Sequence, residues 1–192
     1  MNKLSGSSAE LAERLAATPE AADLVRRSAD AAAALRLLRQ EDQLMAAVRL
    51  VSHALPAREG VWWACMCADH TAPADLPEPD RAARQAAEQW VRANTSDAYR
   101  RAAMNAARKA GMRSPEAWAG VGAFWSGGSM APEGQPVVPP APHLCGTALA
   151  GSVLLASVRG DPRQQPARLT AYLDSATDIA RGGAGRLSAE RT

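Results

Sequence analysis

The sequence predicts an all-α protein: about nine short helices in antiparallel pairs, with a Pro-rich extended loop ahead of a central buried helix. Three observations carry this. Apolar residues recur at helical spacing through most of the 192 residues. Strand signals are nearly absent, with no alternating run of Val, Ile, Thr and aromatics and no Asn-Gly hairpin turn. Pro and Gly interrupt the helical pattern again and again, where one helix must stop and the next begin.

The elements follow in order. "SSAE" sets Ser7 and Glu10 at capping-box spacing, so a helix starts there with Leu11 and Leu15 on one face. Thr18-Pro19 stops it and starts another, since Pro suits the first helical position. Residues 29–39 align Ala31, Ala34, Leu35 and Leu38. Residues 42–54 align Leu44, Val48 and Val51, with Leu55 next in register. Pro56 opens the next helix, to about Ala68, and Pro77 or Pro79 opens one that runs to about Asn94 with Trp90 and Val91 on its stripe. Ser96 is placed to cap a helix ending at Ala110, with Gly111 as its left-handed terminal residue. Ser114-Pro115-Glu116 begins a helix whose one face carries Trp118, Val121, Gly122 and Trp125. Residues 144–158 are apolar on nearly every side, which implies a buried central helix. A last helix spans about 166–181, with Leu169, Tyr172, Leu173 and Ile179 inward. No fixed-period repeat is evident, so a helical-repeat array and an irregular bundle both fit.

Residues 1–28 read as an N-terminal helical extension that could be mobile, 29–183 as one helical domain, and 184–192 as a flexible tail. Residues 127–142, "GGSMAPEGQPVVPPAP", exclude regular structure because Pro removes donors and fixes the backbone. Their valines favour an ordered path across the helices, with Val137 or Val138 tucked against the Trp118/Trp125 face. The rival is an exposed segment offering Pro136-Val137-Val138-Pro139 to a partner.

Composition narrows the function. A net charge of +2 gives no field suited to nucleic acid or an anionic membrane. The longest apolar run, 144–158, is shorter than the ~20 residues a bilayer span requires. The first fourteen residues lack the apolar stretch of a signal peptide, and three cysteines do not make a secreted disulfide framework, so a cytoplasmic location is expected. Cys65 and Cys67, two apart on a helix, point about 200° from each other and would not ligate one metal. "WWACMC" therefore reads as core, with Trp62 or Trp63 as a possible groove-lining anchor. No Gly-x-Ser-x-Gly elbow and no phosphate loop is present. His53 reads as a half-buried or surface residue rather than a base. Arg26-Arg27 and Arg100-Arg101 could pair with phosphate, though solvated helix faces explain them more simply. No catalytic residue, metal ligand or cofactor is assigned. Candidate protein-binding residues are Trp62, Trp63, Trp118, Trp125, Val137 and Val138.

"ALPAREGVWWACMCA", "AWAGVGAFWSGGSMAP" and "GTALAGSVLLASVRGDP", over roughly 29–183, together resemble an all-helical bacterial domain family of unknown function. Its members are often encoded within or beside type VI secretion gene clusters, near forkhead-associated and kinase/phosphatase regulators. The resemblance implies a non-enzymatic accessory or adaptor protein that binds a protein partner, a type VI secretion component foremost. A small enzyme with a pocket assembled from separate helices, and a module reading phosphate or Pro-rich motifs, are the alternatives.

Overall fold

The computed structural model describes residues 2–15, 17–93 and 96–190. The expected helix end near Asn94 and the last two tail residues lie outside them. Ten α-helices and no strand are found among the described residues. They are α1 (Ser8–Arg14), α2 (Pro19–Arg26), α3 (Ala31–Gln40), α4 (Leu44–Ala54), α5 (Ala57–His70), α6 (Glu78–Arg92), α7 (Asp97–Lys109), α8 (Pro115–Phe124), α9 (Leu144–Val158) and α10 (Gln165–Ala180). A short 3-10 turn, Pro162–Gln164, links the last two.

Local chemistry explains the boundaries. The Ser7, Thr18, Asp30 and Ser114 side chains each accept a hydrogen bond from the backbone N–H three residues on. Ser96 precedes α7 as expected, but its side chain makes no capping bond, and Asp97 in the first turn complements the helix dipole instead. At the far end of α7 the Gly111 N–H donates to the Arg108 carbonyl and the Met112 N–H to that of Ala107, with Gly111 left-handed at φ +74°.

Neighbouring helices pack in sequence from α1 to α4 and again from α5 to α9. The architecture is a bundle rather than a repeat array, because α9 packs on α4, α5, α8 and α10 together. The approach of α8 to α9 depends on Gly122, where an added methyl would stand 2.6 Å from Leu149 Cδ2. The main core holds Trp63, Cys65, Cys67, Leu149 and Tyr172, and a smaller cluster forms where α7, α8 and the start of α9 meet.

The sequence leaves open how the N-terminal helices sit, and α1 and α2 pack on the bundle. Leu11, Leu15 and Val25 are buried in the main core, the Lys3 N–H donates to the Ala180 carbonyl, and the Ser5 N–H donates to that of Ala54. The stretch 184–190 lies against the bundle: the indole of Trp62 donates to the Ala184 carbonyl, and Glu190 pairs with Arg168. Its terminal position suggested a flexible tail, and side chains of α5 and α10 contact it.

Candidate functional site

The loop before α9 is the most distinctive surface. Its shape is set by two arginines on α7. Arg100, only 3 % exposed, lies 4.6 Å over the Phe124 ring. Its Nη1 donates to the Phe124 carbonyl (2.7 Å) and its Nη2 to that of Ser129 (2.8 Å). Arg101 Nη1 donates to the Ala131 carbonyl (3.0 Å). Asp97 receives both guanidiniums, and hydrogen bonds from Arg101 and then Arg100 hold its carboxyl below the usual carboxylate range. These arginines are committed to Asp97 and the loop backbone, so they do not form the phosphate-binding pair the sequence allowed.

The loop folds back on itself. The Met130 N–H donates to the Val138 carbonyl (2.8 Å), and the Val138 N–H to the Ser129 hydroxyl (3.1 Å). Met130 packs on the cluster that holds Met104, Val121 and Phe124. The valines do not pack: Val137 is 76 % exposed and Val138 47 %. This corrects the expectation that one of them tucks against the tryptophans. The thioether fills the inward position, and the arginine bonds to loop carbonyls leave the valines facing out. Trp118 and Trp125, each half-buried, meet edge to face at 6.3 Å beside the same cluster. Trp62 is partly exposed. Trp63 is withdrawn as a surface candidate, being fully buried with its indole N–H donating to the Tyr172 carbonyl at 2.8 Å.

Beneath the Pro139–Pro142 stretch lies a cavity of about 280 Å³ lined by His53, Trp125 and Cys145. Burial, then the charges of Arg14, His143 and Arg49, lower the His53 pKa to about 4, so the ring is neutral near pH 7. Burial pushes Cys145 up to about 12, and raises Cys65 and Cys67 as well. A neutral thiol beside a weakly basic imidazole is a poor nucleophile pair.

At the opposite end of α9, ~22 Å away along a 15-residue helix, a polar cavity of about 720 Å³ is lined by Thr71, Asp75, Arg159, Arg168 and Glu190 among others. Its two arginines are each paired with a carboxylate. Arg159 forks onto Glu116 at 2.9 and 2.6 Å, and Glu116 is fully buried. The hydrogen bond from Arg168 holds Glu190 below the ordinary carboxyl range. Sequence reading missed these groups. Glu116 passed as a helix-start acid, while Asp97 with Arg100 and Arg101 carried a readable three-and-four spacing. Among the described residues no group of three His, Cys, Asp or Glu side chains could hold a metal ion, and no helix is long and apolar enough to cross a membrane.

The chain belongs to a family of unknown function (DUF6931), whose match spans residues 34–180 and so takes in the loop, both tryptophan pairs and the Arg100 anchor. No curated protein and no solved structure matches it.

Proposed function

We propose that this protein is a non-enzymatic adaptor that docks a protein partner on the loop face formed by residues 127–142 with Trp118 and Trp125. One observation carries the reading: bonds from Arg100 and Arg101 hold the loop at its Ser129 and Ala131 carbonyls, yet it turns Val137 and Val138 into solvent. A fixed loop that exposes adjacent apolar side chains has already lost the conformational entropy that binding would otherwise cost. The proline-flanked pair "PVVP" then presents two apolar contacts on a stiff backbone, the arrangement used in extended-peptide recognition. The near-neutral charge argues for a protein rather than a nucleic-acid partner.

The partner proposed is a component of a type VI secretion system in the bacterial cytoplasm. The resemblance of "REGVWWAC" and "FWSGGSM" supports it. Co-purification from the native host tests both parts. The wild-type chain should return a secretion component, and the double change Val137→Asp/Val138→Asp should lose it while keeping the native melting temperature within ~1 °C, as expected for exposed sites. Equal recovery of the component by both chains would remove the loop face as the docking site.

A further inference from the structure

We infer that the groove along α5 and α10 is a docking site for an extended peptide of the pattern Gly-x-Leu-x-x-Glu, filled in this chain by its own residues 185–190. This site lies apart from the loop face and does not depend on it.

Most of the groove's contacts go to peptide backbone. Trp62 Nε1 donates to the Ala184 carbonyl (2.8 Å), and the Ser175 hydroxyl donates to that of Gly185 (2.5 Å). The Gly185 N–H donates to Asp178 (2.8 Å). His70 Nδ1 lies 2.5 Å from the Ser188 carbonyl, and the Glu190 N–H donates to the His70 carbonyl at 2.7 Å. Such bonds fix an extended path without reading side chains, as in other peptide grooves.

Three positions add sequence. Gly185 is buried with φ +59°, and any side chain there would collide with Ile179. Leu187 packs against the main core. Glu190 is gripped by Arg168, whose Nε reaches its two oxygens at 3.1 and 3.2 Å and whose Nη2 reaches Oε2 at 2.6 Å. Arg168 is 5 % exposed and is held from behind by the Ser157 carbonyl (3.1 Å) and the Arg159 carbonyl. The fork is therefore preset for a carboxylate.

The family match sharpens the point. Trp62, His70, Arg168, Ser175 and Asp178 all fall within residues 34–180, whereas the segment that fills the groove falls outside. The groove's polar side chains lie within the matched residues, and its occupant lies beyond them. A tethered occupant has an effective concentration of order millimolar, so an outside peptide competes only when the tail is weakened or the partner is concentrated.

The test uses the full chain carrying Leu187→Ala and Glu190→Ala, and a fluorescein-labelled peptide of sequence GGAGRLSAE read by polarisation. Saturable binding to this chain is expected, with at least tenfold weaker binding to the wild-type chain, whose own tail holds the groove. A peptide with Gln in place of its glutamate should bind the variant at least tenfold more weakly. No saturable binding to a variant with native circular dichroism, or equal binding of the Glu and Gln peptides, overturns the inference. Should the variant not fold, hydrogen exchange on the wild-type chain decides: excess free peptide must quicken exchange at the chain's own Glu190 amide. Unchanged exchange overturns it.

Discussion

Removing Arg159 tests how the polar end of the bundle is held together. Glu116 sits at the second position of α8 with no exposed side-chain surface, while the Arg159 side chain is 19 % exposed. In Arg159→Met the carboxylate keeps its buried place and loses both hydrogen bonds of the fork. Breaking a buried pair from one side costs ~3–5 kcal/mol. The N-terminal dipole of α8 offsets ~1 kcal/mol of that, because Glu116 lies in its first turn. The net cost is ~2–4 kcal/mol, and at ~2–4 °C per kcal/mol for a chain of this size the melting temperature should fall by ~5–15 °C. Urea unfolding followed by circular dichroism at pH 7 measures it, with the slope unchanged so that the midpoint reports stability. The double change Glu116→Leu/Arg159→Met should recover to within ~1 kcal/mol of wild type, because no charge is then left buried alone. A single variant that loses less than ~1 kcal/mol, or a double variant no better than the single, would refute the reasoning.

Other perturbations read other parts of the fold. The His53 pKa is depressed in the folded chain, so its contribution to stability is present above pH 6.5 and is lost as pH falls toward about 4. His53→Gln should flatten that part of a stability–pH curve measured by urea midpoints. Glu190 is shifted the same way by Arg168, so acid should also free the tail, seen as lost protection of the Glu190 amide, relative to its intrinsic exchange rate, below the normal carboxyl range and not above it. Thiol-specific labelling of the native protein at pH 8 should leave Cys65 and Cys67 unmodified until the chain unfolds, since both are fully buried with raised pKa values. Met130→Ala should destabilise by ~2 kcal/mol and loosen the loop, whereas Val137→Ala should change stability by less than ~0.5 kcal/mol.

The parts of this fold legible in the sequence are those governed by local rules. Thr18-Pro19 and Ser114-Pro115 mark helix starts because capping and the fixed φ of Pro act within one turn. The period of 3.6 separated Cys65 from Cys67 and placed the "WWACMC" stretch in the core, where Trp63 and both cysteines lie. What stayed hidden depends on long-range partners. Hydrophobicity argued that Val137 and Val138 pack, but the loop's path is decided by Arg100 and Arg101, which reach backbone carbonyls 24 to 30 residues away. Glu116 falls in the first turn of a helix, where an acid is common, and nothing local marks its pairing with Arg159, 43 residues on. Terminal position spoke for a flexible tail, and the groups that contact it, Trp62 and His70, are more than a hundred residues upstream.

The docking claim for the loop face is tested most directly by site-specific photo-crosslinking in the native host. A photoreactive residue is placed at position 137, with one at Glu20, an exposed position on α2, as the control. The account predicts a discrete crosslinked product from position 137, identified by mass spectrometry as a secretion component, and none from position 20. The same product from both positions, or none from position 137 while the component still co-purifies, would contradict it.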